Sequence, residues 1–469
     1  MIFQEEYVSF EVNRKMLRHF TPLRNLIYGA LFYLVMFLLA PVTLNAEYDF
    51  SAASYVFVSC VAFICGCLLI PRPNVSQNVV LRYSSAQLKE VVTILLLLSV
   101  IGVVAKFFDS FIIRGLSVSQ DILENRDAAV VEGGSANPVA IIAAFFMYAP
   151  YILLALLFCF DKCFRIIEKL FIWFLFGIQG LYSFIMGSRS GILFPGIFLV
   201  LSCFYFHKVK LRFNMKILVA ALVIFLLGCT FAGKMYSDRT LSLNPYAVIA
   251  EMGRISGAAE TVPTNDMVYK RIYNSKEDSW SYYFLVGYVN ICQYCIHGLL
   301  EFPAQKKYID VSSRRHTNGA CMFDIYVKFF DKISGKKHAR VLLDAFVHPG
   351  IFNSVFGTVY TDFGWWGVIV MFFWGIIQQL VWRGAYKSGD FVLLLWVFMG
   401  GTIVFLFPLS NLFCGPPCYA FTFVIIMYYL FLGMHLTRPM QTSESLSDQV
   451  IAPETTEKDV CFAENSSAV

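Results

Sequence analysis

Four arginines, one histidine and one aspartate carry the chemistry that this sequence suggests. Arg189 lies in Gly187-Ser-Arg-Ser-Gly191, between apolar runs at 170–185 and 192–206. An arginine left in hydrocarbon costs from about 3 kcal/mol by insertion scales to above roughly 10 by simulation. Its small neighbours permit close approach, and a guanidinium grips an oxyanion with two parallel N–H bonds. Arg114 and Arg126 lie in the loop at 109–137, among Asp121, Glu124 and Asp127, and Arg254 is central to EMGRISGAAE at 251–260. His348 precedes a Pro-Gly turn, and Asp362 opens Asp-Phe-Gly-Trp-Trp-Gly. Arginines that hold an anion, together with a base within reach of a hydroxyl, suit transfer of a group from an anionic leaving group to an alcohol. Each residue also has a plainer reading. Arg189 can touch lipid phosphate, the loop charges can pair with one another, His348 can cap or pack, and Asp362 can end a helix or partner an arginine.

The elements that must position these residues are membrane helices. The chain is 58% hydrophobic and 15% charged, with mean hydropathy +0.63, against about 25% charged in soluble domains. A span needs about 20 apolar residues, which predicts helices near 24–44, 52–70, 90–108, 138–160, 169–187, 191–206, 215–233, 353–382, 390–410 and 417–436. The expected fold is therefore an all-α polytopic membrane protein of about ten transmembrane helices. Its organisation is a cytoplasmic segment at 1–23, a seven-helix bundle at 24–233, an extracytoplasmic loop at 234–352, three helices at 353–437 and a disordered tail at 438–469. Residues 1–23 are polar, and no cleavable signal peptide is expected. Most of the thirteen cysteines lie in apolar runs and imply no disulfide framework.

Orientation comes from lysine and arginine in the short connections. Arg14, Lys15, Arg18 and Arg24; Arg72, Arg82 and Lys89; Lys162, Arg165 and Lys169; Lys208, Lys210, Arg212 and Lys216; and Arg383 and Lys387 fall on alternate ends. That puts both termini in the cytoplasm, with the loop 109–137, Arg189 and the segment 234–350 outside. Residues 280–302 are apolar enough to span, and a span there would invert every later helix. Yet Asn290, Gln293, His297 and Glu301, at intervals of three, four and four, share one helical face, and Trp280, Tyr282, Tyr283 and Tyr288 crowd one end. That pattern predicts an amphipathic helix lying in the membrane interface.

No Walker, dinucleotide-binding or Asp-x-Asp nucleotide-sugar motif is present, and neither Cys292/Cys295 nor Cys414/Cys418 makes a convincing metal site. The expected chemistry needs no metal, cofactor or nucleotide donor, and no nucleic-acid partner is expected.

On these residues the chain resembles the O-antigen polymerase, or oligosaccharide repeat-unit polymerase (Wzy-type), family, which is related to the O-antigen ligases. The resemblance rests on the loop with Arg114 and Arg126, on Gly187-Ser-Arg-Ser-Gly191, on the large late outer segment, and on Tyr360-Thr-Asp-Phe-Gly-Trp-Trp-Gly367. It implies polymerisation of undecaprenyl-pyrophosphate-linked oligosaccharides at the outer leaflet of a bacterial inner membrane, with the active site on the periplasmic side. Arg189, Arg126 and Arg114 would hold pyrophosphate, and Arg254, from its own place in the outer segment, is a further candidate for that role. His348, placed like a histidine of the ligases, and Asp362 are the candidate bases. A chain-length regulator and a flippase are the implied partners. A ligase-like enzyme acting on a lipid A core, and a repeat-unit flippase or transporter, are the alternatives.

Overall fold

The computed structural model describes residues 7–12, 14–44, 49–73, 79–117, 138–185, 215–239, 264–276, 279–312, 316–323 and 354–408, with short stretches within 195–203 and 326–347 and at 425–426. The chain is mostly helical. Thr21 caps α1 (Pro22–Leu39) by accepting from the Arg24 N–H, and Pro22 opens the helix, where its fixed φ costs nothing. Asp49 caps α2 (Phe50–Leu69) in the same way. The next helices are α3 (Ser85–Phe107), α4 (Pro138–Phe146), α5 (Ala149–Cys159), α6 (Ile166–Ile185), α7 (Met215–Arg239) and α8 (Asp266–Tyr273). The last five are α9 (Trp280–Leu300), α10 (Phe302–Val311), α11 (Val355–Phe363), α12 (Gly367–Ser388) and α13 (Phe391–Phe405).

Among the described residues six stretches are long and apolar enough to cross a membrane: Pro22–Leu39, Phe50–Leu69, Ser85–Ile113, Pro138–Cys159, Trp280–Val311 and Val355–Ser388. Five coincide with expected spans. The helices α6 and α7 coincide with two more, α13 is a shorter apolar helix, and the runs at 191–206 and 417–436 lie largely outside the described residues. Leu31, Leu34, Val35 and Leu38 of α1 point away from the protein, as a lipid-facing stripe does.

An all-α chain is the expectation, yet two strands also form. β1 (Tyr7–Val12) pairs antiparallel with β2 (Val79–Ser84), Tyr7 opposite Ser84 and Val12 opposite Val79. Both are rich in β-branched and aromatic residues, and the pair joins the chain ahead of α1 to the start of α3. At the same end Arg14 donates from Nε to the Tyr386 carbonyl and from Nη2 to that of Lys387, each at 3.0 Å. These are carbonyls of the last turn of α12, where a cation meets the negative end of the helix. Trp382 donates to the Leu17 carbonyl at 2.9 Å. Helix pairing places Arg24, Lys89, Arg165, Arg383 and Lys387 at this end, in keeping with the expected alternation. It is the basic end of the bundle.

The helix at 280–300 differs from expectation. It stands in the bundle rather than across its face. Tyr33 of α1 donates to the Ile296 carbonyl, and Tyr288 donates to that of Leu39, so α9 runs antiparallel to α1. Gly287 and Gly233 press α9 onto α7, and a Cβ on either would collide with the facing backbone, that of Cys229 or Tyr283. The polar face points inward: Asn290, Gln293, His297 and Glu301 are 7%, 6%, 4% and 1% exposed. Within that face His297 Nδ1 lies 3.0 Å from the Gln293 carbonyl one turn back.

Three helices stop midway along the bundle. Gly29, near the middle of α1, packs on Phe405 at the end of α13, and α9 ends at a similar level. There the Ser354 N–H donates to the Gly298 carbonyl and the Val355 N–H to that of Phe407, both at 3.2 Å. From this point α11 climbs towards the end opposite the basic one. At Gly364 (φ +56°) the chain turns back into α12. Replacing Gly287 with alanine should force α7 and α9 apart at a cost of about 1–3 kcal/mol, read as a lower melting temperature of the purified protein. An unchanged melting temperature would mean that the close approach does not hold the pair.

Candidate functional site

Two polar assemblies occupy the end opposite the basic one. The first begins where α3 winds into a π-helical turn, Phe108–Ile113. The wider turn brings Arg114 over Asp109, five residues back, and Nε meets Asp109 Oδ2 at 3.0 Å. Asp109 is buried, so the pair neutralises a carboxylate inside the bundle, and the Arg114 guanidinium is committed to it on one edge. Ser110 donates to the Tyr182 hydroxyl at 3.0 Å, and the Lys106 ammonium sits 4.6 Å from the Tyr182 ring centroid. Tyr182 belongs to the last turn of α6, so α3 and α6 are joined here. Arg189, Arg126, Arg254 and His348 lie outside the described residues.

The second assembly is built on α10 and α11. Asp362 is fully buried and accepts from the Thr317 hydroxyl, from the Cys321 N–H at 2.9 Å and from the Met322 N–H at 2.8 Å. The Thr317 and Asn318 N–H groups donate to the Thr361 and Asp362 carbonyls. The turn 317–323 is thereby moulded onto α11. These bonds occupy both oxygens of Asp362, so its described role is to hold this turn. His316 leads into the turn. Its Nδ1 lies 3.3 Å from the Thr361 carbonyl, and its ring packs against Gly364, where a Cβ would come within 2.6 Å of Nε2.

Beside it Tyr360 donates to Asp310 Oδ1 at 2.7 Å, and Lys306 meets Asp310 Oδ2 at 2.5 Å. The Lys306 ammonium stands 5.3 Å from the Tyr360 ring centroid, and Tyr55, Phe302 and His316 pack edge-on or tilted around the same rings. Below them Gln305, with no exposed surface, ties three segments together. Its Nε2 donates to the Ala345 carbonyl at 2.8 Å and to Thr361 Oγ1 at 3.0 Å, and its Oε1 accepts from the Val347 N–H at 2.9 Å. Val347 precedes His348. The chain is thus pinned in the interior on both sides of 348–353, to Gln305 at one edge and to Gly298 at the other.

The structure therefore links Thr361, the neighbour of Asp362, through Gln305 to the segment that leads into His348, and sets Arg114 on a different helix pair. It also adds groups that sequence reasoning passed over, His316, Gln305 and the Lys306–Asp310 pair, and gives Tyr360, quoted only within a motif, a partner in Asp310. One signal pointed to part of this, since Glu301 and Gln305 continue the four-residue spacing from Gln293 and His297. Among the described residues no group of three or more His, Cys, Asp or Glu side chains is arranged to hold a metal ion.

The chain matches no protein-family model, no curated protein and no solved structure. Its chemistry is argued from its own residues.

Removing the Asp362 carboxylate would take away the acceptor that the Cys321 and Met322 N–H groups and the Thr317 hydroxyl now use, at about 1–3 kcal/mol for each buried group left unsatisfied. Asp362→Ala should therefore lower the melting temperature markedly and open 316–323 to limited proteolysis. Cleavage and melting like those of the unaltered protein would show that the carboxylate does not hold the turn.

Proposed function

We propose that this protein is a membrane glycosyltransferase that polymerises undecaprenyl-pyrophosphate-linked oligosaccharide repeat units at the outer face of a bacterial inner membrane. The observation that carries this reading is the interior of the bundle beneath its non-basic end. His297, Glu301, Gln305, Thr361 and Asp362 are buried there, around the flanks of the segment that contains His348. Polar and ionisable side chains inside a membrane bundle are costly and mark function. Their place agrees with the side on which the charge pattern puts Arg189, Arg126 and Arg254.

In this reading, guanidinium groups supplied by Arg189 and its partners stabilise the charge that grows on the departing pyrophosphate. A base takes the proton of the acceptor hydroxyl as its oxygen bonds to the anomeric carbon. The candidate bases are His348 and, from its place at the open end, His316. Asp362 serves the site by positioning the turn beside His316. Arg114, paired with Asp109, contributes less free charge to an anion than an unpaired arginine would. A chain-length regulator and a flippase are the proposed partners.

A second reading has a specific observation in its favour. Three helices that end at mid-depth around buried His297 and Glu301 form an arrangement that transporters also use, which suits a repeat-unit flippase. A deletion strain separates the two. Surface polysaccharide reduced to core plus one repeat unit supports polymerisation, and complete loss of repeat units on the core supports transport or ligation. Arg189→Ala should give the single-unit pattern with the protein still inserted. Arg189→Lys should also be impaired, because an ammonium cannot reproduce the bidentate contact. Long polymer of normal length in Arg189→Ala would remove Arg189 from the site.

A further inference from the structure

A cavity of about 360 Å³ lies between α11 and α12. It runs along the length of α11, from Val355 to Phe363. Val355 and Val359 form one wall and Trp374 part of the other, with Met322 and Phe323 from the Asp362-held turn also lining it. On α12 the residues Ile369, Phe373, Ile377 and Leu380 are exposed. Spaced four, four and three apart, they form the stripe by which this helix meets the bilayer. Phe373 and Ile377 belong to that stripe and also line the cavity, so the cavity opens along the lipid interface and is continuous with it.

We infer that this groove is a lipid site that seats one acyl chain of a bilayer phospholipid, drawn from the leaflet at the end opposite the basic one. Three features select that occupant. The lining is apolar, so water gains no partners there. The nine residues of α11 rise about 13.5 Å, close to the roughly 15 Å of hydrocarbon in one leaflet, and the groove runs along that helix. Phe373 and Ile377 at its mouth also belong to the exposed apolar stripe of α12, so a lipid chain is the molecule that lies against the opening. The turn at Met322 and Phe323 would rest on the bound chain, which links lipid occupancy to the assembly around Asp362 and His316. The inference is independent of which reaction that assembly performs.

Trp374 is a built-in reporter, because bromine atoms carried on an acyl chain quench an indole on contact. The full-length protein is reconstituted in phosphatidylcholine vesicles with mid-chain brominated acyl groups. The Trp374 signal is taken as the difference between the unaltered protein and Trp374→Phe. Loss of most of that signal is expected, with recovery in Val370→Phe, which fills the groove from inside, and in Ile377→Phe, which narrows its mouth without touching the core. Absence of quenching, or equal quenching in both filled variants, would overturn the site. Recovery caused by a small fraction of polyprenyl phosphate in the same vesicles would overturn the acyl assignment in favour of a polyisoprenoid chain. Recovery that tracks protein density would overturn it in favour of a second copy of this chain.

Discussion

A helix that ends in a medium without water leaves up to four backbone groups at that end in need of partners, and this bundle ends three helices at mid-depth. The solution is reciprocal. The ends of α9 and α13 supply carbonyls, and the start of α11 supplies the Ser354 and Val355 N–H groups that take them. Ser354 also accepts from the Gly357 N–H through its hydroxyl. The layout of the whole non-basic end depends on this junction. It sets the depth from which α11 rises, and hence the level of Tyr360, Thr361 and Asp362.

The same junction explains why the interior is polar where it is. A helix that stops short leaves space beside its neighbours, and backbone at that depth must be lined by groups able to bond to it. Gln305 meets this need for 345–347, and Asp362 does so for 317–323. The apolar groove between α11 and α12 runs beside the same helix on the lipid side, so this half-length helix separates a polar assembly facing inward from a hydrocarbon slot facing outward.

Two residues show where local rules stopped short. Arg114 reads in sequence as one of several outer arginines around an anion. Its partner Asp109 is five residues back, a spacing that does not pair on an α-helix, where neighbours are three or four apart. A π-helical turn brings it into register. Asp362 reads as a base or as an arginine's partner, and its actual donors are two backbone N–H groups and a hydroxyl about forty residues earlier. No spacing rule connects positions that far apart.

Much of the architecture was decided by the sequence alone. Long apolar runs must become helices in lipid, because only internal bonding satisfies their backbones. The basic residues in alternate connections define one end of the bundle, and among the described residues Arg14, Arg18, Arg24 and Lys387 meet there. The common face of Asn290, Gln293, His297 and Glu301 was equally legible, since it comes from the 3.6-residue period. Tertiary structure alone decided which way that face points. An amphipathic helix has the same periodicity whether its polar side meets water or a polar interior. The packing of α9 against α1, α7 and α11 turned it inward.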